Sequence, residues 1–363
     1  MKVKVGEITK IKTGKLDANA SSIDGKYPFF TCSKEPLKID TYSYDCECVL
    51  VAGNGDLNVK YYKGKFDAYQ RTYIIEDNSD GLLYMPYLYY FLEGYIEELR
   101  KLSIGGVIKY IKLGNLTDAL IELPPIKEQK YIVNLMNTSS ELISLRKLTI
   151  NKLDLLIKAR FVEMFGDVKK EEKYRGIPLR QIATTITGGT PSTKKPKFYE
   201  GNIPWISTVS LGPNHIDGSN AKGYITQEAI DNSATKLIPS GNILFGTRVG
   251  VGKSSINDVD MCTNQDIVAI VNIDKKRYNK LFIKHVLDAY QEHYDSLKKG
   301  ATILGITSED LKNTLIPDAP LEVQTRFELF VKQVDKSKLA VQQSLEKTQL
   351  LFDSLMQEYF GEN

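Results

Sequence analysis

Short apolar runs separated by turn-forming residues fill the first third of the chain. Residues 48–51, 72–75 and 107–111 are rich in β-branched and aromatic side chains, and clusters of Gly, Asn and Asp separate them. Such runs are typical of β-strands joined by turns. Residues 84–102 instead have the length and apolar spacing that predict a helix, one rich in aromatic residues.

The same order of elements returns later in the chain. Residues 243–245 and 266–270 are predicted strands, and residues 280–297 are a predicted helix. Each β-rich region is followed by a segment of different character that opens on proline, at Pro124 and at Pro320. The pattern therefore predicts an α/β (α+β) fold in four segments, with the ranges 1–123, 124–173, 174–318 and 319–363.

The segments that open on proline have the pattern of long amphipathic helices. Residues 126–164 contain neither Pro nor Gly, and apolar residues recur there at steps of seven, with Thr149 interrupting the series. One explanation is a solitary surface helix, but two such helices at equivalent places favour mutual packing as a coiled coil. The heptad residues are Leu135, Leu142 and Leu156 in the first helix and Val334, Val341 and Leu355 in the second.

A helix of about 39 residues would span roughly 58 Å. Two such helices packed together would hold two globular units apart at a fixed distance. If Leu142 and Leu156 are buried where the helices meet, an Asp at either position would be an unpaired buried charge. That change would then cost several kcal/mol.

The chain is an internal duplication, in which the later part of each copy matches at an offset of 195 in residue number. Repeats of solenoid proteins are far shorter, so this offset indicates a duplicated domain. Near the beginning of each copy the offset is 176, which means that the second copy has gained residues in its middle. Residues matched at 195 include Leu102 with Leu297, Ile108 with Ile303, Ile111 with Ile306, Leu116 with Leu311, Pro125 with Pro320 and Gln129 with Gln324.

The ends of the copies agree while their middles diverge. The tails Glu163-Met164-Phe165-Gly166 and Glu358-Tyr359-Phe360-Gly361 match, so each tail has the character of a shared attachment device. The divergent middles have the character of variable readers. Two equivalent units on one chain are suited to engaging two equivalent partners.

Composition narrows the function without identifying it. The 363 residues are enough for two to three domains with sizeable cores, and the formal net charge is only +3. No stretch of 18 apolar residues predicts a membrane span, and no signal-peptide pattern precedes the first strand, so a cytoplasmic location is expected. No segment is strongly basic, and DNA binding is therefore not evident from charge alone.

The cysteines do not have the spacing of a metal site. Cys46 and Cys48 are separated by one residue, Cys32 and Cys262 stand alone, and the three histidines are remote in sequence. A zinc site would need Cys pairs of wider spacing or nearby His. Reduced, buried thiols are the expectation.

One motif suggests a nucleotide. Residues 247–254 nearly match the phosphate-binding loop GxxxxGK[ST], but Thr247 replaces the first glycine and no helical pattern follows Ser254. A Gly-rich turn between strands, lying against a nucleic-acid backbone, is the favoured interpretation, with an ATPase as the alternative. Catalytic motifs of amino-methyltransferases, zinc proteases and serine hydrolases are missing, so no catalytic residue is predicted.

The chain resembles the specificity subunits of Type I restriction–modification systems. The resemblance covers essentially the whole chain and depends on the order of several modest motifs, which occur in duplicate. They are Gly188-Gly189-Thr190-Pro191-Ser192, Gly201-Asn202-Ile203-Pro204-Trp205-Ile206, Asn264-Gln265-Asp266-Ile267, residues 300–307, Leu123-Pro124-Pro125-Ile126-Lys127-Glu128-Gln129 and the two tails.

This resemblance implies an architecture and a set of partners. Residues 1–123 and 174–318 would be two globular target-recognition domains, each reading half of a split site on double-stranded DNA. Residues 124–173 and 319–363 would be conserved spacer helices, two long antiparallel coiled-coil helices that separate the domains and give the duplication a pseudo-two-fold arrangement. The spacers would dock two N6-adenine methyltransferase subunits, through which the restriction/translocase subunits join.

The resemblance also implies that the chain is not itself an enzyme. No cofactor is expected on it, whereas S-adenosylmethionine, ATP and Mg²⁺ are expected on the partner subunits. The six heptad residues Leu135, Leu142, Leu156, Val334, Val341 and Leu355 become candidates for subunit docking. A protein that is only a coiled-coil spacer is the remaining alternative, but it would not account for two divergent loop-rich domains.

Base reading requires side chains that reach base edges, with Arg and Lys matched to guanine and Asn and Gln to adenine. For each candidate an ordinary role on the surface or in a turn stays open; Gln70 and Gln265 are candidates to hold a turn. Trp205 is expected in the core, with stacking on a base as the alternative. The DNA-binding candidates are Lys15, Asn54, Asn58, Lys60, Arg71, Thr190, Lys194, Lys195, Arg248, Lys253, Asn264 and Gln265.

Arg248 is the foremost of these candidates. It lies in a turn where Gly250 and Gly252 would let the backbone approach a duplex closely. No acidic residue lies within six positions on its N-terminal side, so it is expected to be free of a partner. Arg248 is therefore predicted to contact DNA directly.

Overall fold

The computed structural model describes residues 1–300 and 304–361, and the chain divides into two compact units. Unit 1 comprises residues 1–149 together with the described residues from Ala340 onward, and unit 2 comprises residues 150–339. Each unit thus contains one β-rich domain and an end of each of two long helices. The four segment ranges derived from the sequence are a different division and stay a prediction.

Unit 1 begins with a short strand and continues into a sheet flanked by helices. Its 3₁₀ turn spans Ala18–Ala20. The strands are β1 (Lys2–Lys4), β2 (Thr9–Thr13), β3 (Tyr27–Phe30), β4 (Leu37–Ile39), β5 (Tyr44–Ala52), β6 (Val59–Ala68), β7 (Thr72–Asp77) and β8 (Leu120–Glu122). The helices are α1 (Val5–Ile8), α2 (Met85–Gly94), α3 (Ile96–Leu102), α4 (Leu113–Thr117) and α5 (Ile126–Phe165).

A six-stranded sheet in the order β2-β7-β5-β6-β3-β4 forms the body of unit 1, and β1 pairs with β8 apart from it. The neighbours in this sheet are antiparallel except β3 and β6. Side chains of β5 alternate between two cores, because successive residues of a strand point to opposite faces. Val49 and Val51 pack under α2, whereas Cys48 and Leu50 pack with Phe66 on the other face.

Unit 2 repeats this plan with additional short elements. The 3₁₀ turns span Leu179–Gln181, Pro196–Tyr199, Thr208–Ser210 and Gly218–Asn220. The strands are β9 (Gly176–Pro178), β10 (Thr184–Thr187), β11 (Ile203–Ile206), β12 (His215–Ile216), β13 (Gly223–Ile225), β14 (Leu237–Ile238), β15 (Ile243–Gly246), β16 (Ser254–Asn257), β17 (Met261–Thr263), β18 (Ile267–Val271) and β19 (Leu315–Pro317). The helices are α6 (Gln227–Asp231), α7 (Lys280–Ala289), α8 (Gln291–Leu297), α9 (Ser308–Lys312) and α10 (Leu321–Phe360).

The strands of unit 2 form sheets in the orders β10-β18-β15-β16-β12, β13-β11-β17-β14 and β19-β9. Again one strand serves two cores: Ile243 and Phe245 of β15 face α7, and Leu244 faces the other side. The strand equivalent to the long β6 of unit 1 is divided here into β16 and β17. The additional residues of unit 2 lie on both sides of β13, where β12, α6 and β14 occur.

The predicted duplication is confirmed element by element. The first residues of α2 and α7, of α3 and α8, of α4 and α9, and of α5 and α10 differ by the same offset of 195 in number. The backbone bonds of the two units also correspond: Tyr69 donates to Phe30 O at 2.9 Å, and Asn264 donates to Ile206 O at 3.0 Å. Of the matched residues, Ile303 lies outside the described part of the chain.

Two details differ from the predicted elements. Residues 107–111 do not form a strand. Residues 107–110 are an exposed loop with bridges at Tyr110, Val107 is fully exposed, and Ile111 is buried. Burial in a sheet requires a partner strand, and this apolar run has none along its length. The predicted helices 84–102 and 280–297 are each broken once, at Tyr95 and at Tyr290.

The long helices are confirmed and pack against each other within each unit. In unit 1, Arg146 of α5 donates a hydrogen bond to Thr348 of α10. In unit 2, Lys338 pairs with Asp154 at 2.6 Å, and the rings of Phe161 and Phe327 lie 5.4 Å apart. Since contacts advance along α5 as they recede along α10, the helices are antiparallel.

The predicted heptad is correct for α10 and shifted by one residue in α5. Val334 is buried and Thr348 nearly so, as a seam requires, which leaves Val334 unavailable to a partner. Leu142 and Leu156 are 40% and 47% exposed, and the adjacent Ile143 and Ile157 are the buried residues. The expectation that an Asp at Leu142 or Leu156 would be a buried charge is therefore wrong.

A buried glutamine joins each β-rich domain to its long helix. In unit 1, Gln129 accepts a hydrogen bond from the Tyr84 N–H and donates to the carbonyls of Leu82 and Pro124, each at 2.8 Å. In unit 2, Gln324 makes the equivalent bonds with the residues that match these at the offset of 195: Asn279, Arg277 and Ala319. We refer to these two arrangements as the glutamine clasps.

Aromatic contacts complete the attachment of the helices. Tyr87 of α2 packs on Phe360 of α10 with ring centroids 5.1 Å apart. In unit 2 the two matching residues make the same contact, since Phe282 of α7 packs on Phe165 of α5 at 4.6 Å. The matching tails are therefore attachment points between a helix end and a β-rich domain of the same unit. Among the described residues, no helix has both the length and the apolarity needed to cross a membrane.

Candidate nucleic-acid interface

Three segments of unit 2 converge at one end of its sheets. They are the loop that follows β10, the turn between β15 and β16, and the link between β17 and β18. Backbone bonds fix them together: Gly189 N donates to Thr263 O at 2.8 Å, and Thr247 N donates to Asp266 O at 2.8 Å. This convergence brings together Thr190, Arg248, Asn264 and Gln265, residues that the sequence places far apart.

The glycine pair after β10 permits the closest of these approaches. A Cβ at Gly188 would clash with the hydroxyl and carbonyl oxygens of Thr263, so no other residue fits there without displacement. A side-chain hydrogen bond also fixes this loop to the link between β17 and β18, because Thr190 Oγ1 donates to Gln265 Oε1 at 2.5 Å. Gln265 thus has the structural role considered for it, although its side chain remains exposed.

Arg248 has a partner after all. Its guanidinium lies 3.6 Å from the carboxylate of Asp266, which in turn accepts a bond from Asn264 Nδ2 at 3.3 Å. The Arg248 side chain is 55% exposed, whereas that of Asp266 is 14% exposed. The expectation that Arg248 is free of a partner considered only its neighbours in sequence, and it is wrong. Asp266, in the link between β17 and β18, lies next to the guanidinium.

The Gly-rich turn is a connector between strands, as predicted. Gly250 and Gly252 have φ of +73° and +87°, in the region that favours glycine. The strand β16 begins at Ser254, whereas a phosphate-binding loop requires a helix there. Lys253 is exposed in this turn, with its side chain beside Gly250.

The remaining candidates of unit 2 lie around the glycine loop. Lys194 is exposed, and Lys195 holds its ammonium group 4.8 Å from the centre of the Phe198 ring. Trp205 is half-buried, donates from Nε1 to Gly189 O at 3.1 Å and packs edge-on against Tyr199. This tryptophan therefore supports the glycine loop from within the domain.

Unit 1 builds the corresponding surface from Lys15, Asn54 and Arg71. Lys15 N donates to Ala68 O at 3.2 Å, and Gly53 N donates to Arg71 O at 2.7 Å, which brings Asn54 beside Arg71. Lys15 and Arg71 are exposed and Asn54 is half-buried. Within residues 1–300 and 304–361, no carboxylate lies within ion-pairing distance of Lys15 or Arg71.

Asn58 and Lys60 point inward by comparison. Asn58 Nδ2 donates to Cys32 O and to Asp56 O, both at 2.8 Å, and its Oδ1 accepts from the Lys60 ammonium. Burial lowers the pKa of Lys60. These two residues hold the β5–β6 turn, and their polar groups are already engaged.

The interface also contains buried polar atoms without a partner in the described part of the chain. They are Ser207 Oγ, Thr263 Oγ1 and Asn264 Oδ1, all at the carboxyl ends of β11 and β17. Ser207 and Thr263 are nearly inaccessible, so they are structural neighbours of the interface. Asn264 as a residue is only half-buried, and its side-chain oxygen Oδ1 accepts no hydrogen bond from the described residues.

One contact at this surface was missed from the sequence: that of Asp266 with Arg248. Asp266 was part of a recognised motif, but its charge was not connected with Arg248. One signal was available, since Asp266 aligns with Arg71 at the offset of 195 and the charge is reversed between the copies. In chemical terms the surface offers hydrogen-bond donors and acceptors, and the described residues include no cluster of three His, Cys, Asp or Glu side chains placed to hold a metal.

Sequence comparison finds a family model that matches both copies. Residues 1–155 and 171–350 match the model described as the Type I restriction modification DNA specificity domain. The EcoDI specificity subunit of Escherichia coli is 27% identical over 392 aligned residues, covering 99% of this chain and 87% of that protein. The EcoR124I/EcoR124II specificity subunit of the same organism is 30% identical over 168 residues, 44% of this chain and 40% of that one.

Solved structures share the fold over the full length. The S subunit of a Type I restriction–modification system from M. genitalium aligns with a TM-score of 0.65 and 15% identity, covering 100% of this chain and 96% of that one. A chain of a type I R-M system described for its complex assembly and conformational transition aligns with a TM-score of 0.62 and 18% identity, covering 99% and 97%. At these identities the likeness establishes the fold.

Proposed function

The chain belongs to the Type I restriction modification DNA specificity family, and from that premise we propose that it reads a bipartite, asymmetric DNA target. Members of this family recognise the DNA target and are not the catalytic subunits, so the chain is a non-catalytic specificity subunit. In the proposal, the domain of unit 1 reads one half of the target and the domain of unit 2 reads the other.

One observation carries this proposal: the same backbone framework occurs in both units and bears different side chains. Arg248 and Asp266 in unit 2 correspond to Asn54 and Arg71 in unit 1, at equivalent backbone bonds. Equivalent backbone positions that bear different polar side chains in the two units are suited to reading two different DNA sequences. Because the two halves then differ, the whole site is asymmetric.

We further propose that the long helices dock two N6-adenine methyltransferase subunits, through which restriction subunits join. Exposed leucines support this proposal. Leu155 and Leu156 on α5 are 62% and 47% exposed, and Leu350 and Leu351 on α10 are 69% and 54% exposed. The two pairs match at the offset of 195, so each unit carries an equivalent apolar patch, which suits one partner per unit.

In this assembly S-adenosylmethionine, ATP and Mg²⁺ are bound by the partner subunits. The role of this chain is to bring the methyltransferase to an adenine in each half of the site. The six heptad residues proposed for docking differ in availability, since Leu142 and Leu156 are exposed and Val334 is buried. The leucine pairs are therefore the better candidates for contact.

The test is a methylation map. The chain is co-expressed with its methyltransferase in a host that lacks adenine methylation, and single-molecule sequencing reports methylated adenines in context. We expect one motif of two different halves separated by unspecified bases, with an adenine methylated in each half. A continuous or palindromic motif, or no motif, would contradict the proposal.

A domain graft separates the two halves. Replacing residues 174–318 with the equivalent segment of a relative is expected to change one half of the motif and leave the other as it was. The full chain without the graft is the control. A change in both halves would mean that the units do not read independently.

A further inference from the structure

Three positions of the backbone framework face the same turn in both units. The first position follows strand β5 in unit 1 and β15 in unit 2. The second position directly precedes β7 or β18. The third directly precedes a buried isoleucine that lies over the turn. We refer to them as the frame positions. In unit 1 they are Asn54, Arg71 and Tyr110, and in unit 2 they are Arg248, Asp266 and Gly305.

Two backbone bonds at the frame positions occur in both units. Both bonds involve the residue just before the first frame position. Its N–H donates to the carbonyl oxygen of the second frame position, and its carbonyl oxygen accepts from the N–H of the isoleucine that follows the third. In unit 1 these bonds are Gly53 N to Arg71 O at 2.7 Å and Ile111 N to Gly53 O at 2.9 Å. In unit 2 they are Thr247 N to Asp266 O at 2.8 Å and Ile306 N to Thr247 O at 2.8 Å.

The third frame position is fixed by a two-bond bridge in each unit. Ile104 and Tyr110 exchange bonds of 3.0 and 2.9 Å, and Lys299 and Gly305 exchange bonds of 2.9 and 3.0 Å. The members of these pairs correspond at the offset of 195. The side chains at the frame positions therefore differ although these four backbone bonds are shared. Unit 1 has one further bond there, from Gly55 N to Lys109 O at 3.0 Å.

In unit 2 the three residues act as one arrangement around an arginine. A Cβ at Gly305 would lie 2.9 Å from Arg248 Cγ, so glycine leaves the space that the arginine stem occupies. Asp266 lies 3.6 Å from one side of the guanidinium, and Asn264 supports Asp266. A carboxylate on one side directs the remaining N–H donors outward and limits the orientations of the planar group.

In unit 1 the same positions present a different set of groups. Asn54 replaces the arginine and provides both a donor and an acceptor. Arg71 replaces the aspartate, so the supporting negative charge becomes an exposed positive one, and Tyr110 replaces the glycine. The charge at the second frame position is therefore reversed, and a neutral amide replaces the cation at the first.

We propose that the frame positions choose the base that each domain reads, with Arg248, oriented by Asp266, reading a guanine in the half-site of unit 2. A guanidinium makes a bidentate contact with guanine O6 and N7, and an amide makes one with adenine N6 and N7. Asn54 accordingly reads an adenine in the half-site of unit 1. Asp266 is a positioning residue, and the inference rests on the proposed DNA-reading function.

The experiment uses the full chain with its methyltransferase and a DNA library randomised over both half-sites. Variants Arg248→Ala, Arg248→Lys and Asp266→Asn are compared, together with the double variant Arg248→Ala/Asp266→Asn. We expect Arg248→Ala to lose guanine selectivity at one position by roughly 5- to 150-fold, the range of one bidentate contact. Lysine keeps the charge without the fork, so Arg248→Lys should also lose selectivity while binding keeps its salt dependence.

Asp266→Asn tests positioning against a general structural role. It should weaken selectivity at the same guanine and nowhere else, and it should have no further effect once Arg248 is alanine. Arg277→Ala is the matched control, because Arg277 forms an exposed pair with Asp318 at 2.7 Å, remote in sequence from the frame positions. This control should leave the guanine position unchanged.

The reciprocal transfer tests unit 1. Asn54→Arg, Arg71→Asp and Tyr110→Gly together install the arrangement of unit 2, and we expect one position of the other half-site to change from adenine to guanine. An unchanged half-site in a folded triple variant would overturn the assignment for unit 1.

Other outcomes would overturn the inference for unit 2. An equal loss of affinity on all sequences by Arg248→Ala, with a smaller salt dependence, would assign Arg248 to a phosphate. A lowered unfolding temperature for Asp266→Asn with the motif unchanged would assign Asp266 to structure alone. If the unmodified chain yields no two-part motif, the proposed function itself fails, and the two failures are thereby distinguished.

Discussion

His285 is a largely buried titratable group inside unit 2. Burial lowers the pKa of its imidazole from about 6.5 to about 4, and Asp288, 3.5 Å from Nδ1, offsets this only in part. The neighbouring Lys284 ammonium acts in the same direction as burial, and the Phe327 ring stands edge-to-face at 5.2 Å. The folded state therefore holds this histidine neutral.

We expect stability to fall as the pH is lowered from about 6.5 to about 4. The unfolded chain takes up a proton on His285 in this pH range and the folded chain does not. The stability that neutral His285 gives the folded state is therefore complete above about pH 6.5 and is lost as the pH falls towards 4. A depression of this size corresponds to about 3 kcal/mol of unfolding free energy. The measurement is urea denaturation at several pH values, for the native chain and for His285→Phe.

The phenylalanine variant removes this titration and keeps an aromatic ring beside Phe327. Its stability should fall less between these pH values than that of the native chain. Parallel curves for the two proteins would mean that His285 is protonated without penalty in the folded state.

At this scale the sequence predicted residue types better than partners. Arg248 and Gln265 are predicted to contact DNA, and the structure places both where three segments of unit 2 converge. Their contact with DNA stays a prediction. Asn58 and Lys60 have the same chemistry, but they bind each other and the β5–β6 turn. Hydrogen bonds across a fold depend on which strands become neighbours, and composition and spacing do not contain that information.

The seam between α5 and α10 tests the packing of whole elements. Ile143 is buried and the adjacent Leu142 is 40% exposed. We expect Ile143→Asp to lower the unfolding free energy by roughly 3–5 kcal/mol, because it leaves an unpaired charge in the seam. Leu142→Asp is the control and should cost less than about 1 kcal/mol.

Chemical denaturation of the two variants gives this comparison directly. Similar losses would mean that the helix is rotated from the orientation described. The pair is informative because both residues have the same helical neighbours and differ mainly in the side of the helix on which they lie.

The length of the long helices could be predicted, and the face of α5 could not. An uninterrupted run without Pro or Gly is enough to indicate a helix. The buried residues Met136, Ile143 and Ile157 lie one position after the predicted heptad leucines and are also apolar. A seven-residue step therefore does not distinguish the two faces, and Ser139 and Arg146 on the inward face weaken its apolar pattern further. In α10 the seam is more apolar, and the predicted heptad was correct.

The glutamine clasps give a second prediction at the scale of elements, on how strongly they stabilise the attachment of each long helix to its β-rich domain. Gln129→Ala would leave the Tyr84 N–H and the carbonyls of Leu82 and Pro124 without their partner in a buried position. We expect a loss of at least about 2 kcal/mol in unfolding free energy, and the same for Gln324→Ala. Gln343→Ala, at an exposed position of α10, is the control.

Hydrogen exchange locates the effect. The amide of Tyr84 in the first variant, and that of Asn279 in the second, should lose protection. Retained protection in a destabilised variant would show that the glutamine contributes through packing and not through its hydrogen bonds.

For the whole molecule, the duplication gives one chain two units on a shared framework, which the proposed two-part site requires. The copies agree where a helix end meets a β-rich domain, through the clasps and the aromatic pairs, and they differ at the frame positions. The attachment positions are fixed by packing within the chain. Among the frame positions, Arg71 and Arg248 have exposed side chains, whereas that of Asp266 is 14% exposed. The sequence indicates the attachment positions, because they lie in matched stretches. It does not separate the frame positions from them, since these lie beside matched residues such as Gln70 with Gln265 and Ile111 with Ile306.

The leucine pairs extend the argument to assembly. If each exposed pair docks one methyltransferase, Leu350→Asp/Leu351→Asp should remove one partner and leave the other. Desolvating charge at an apolar contact is unfavourable, so we expect light scattering to fall from two methyltransferases per chain to one. Leu155→Asp/Leu156→Asp should do the same, and the four changes together should abolish the complex. Leu148→Asp is the control, since Leu148 is 47% exposed but corresponds to Gln343 and is therefore not duplicated. A complex that keeps two partners in all these variants, with the helices intact, would place the docking surface elsewhere on the chain.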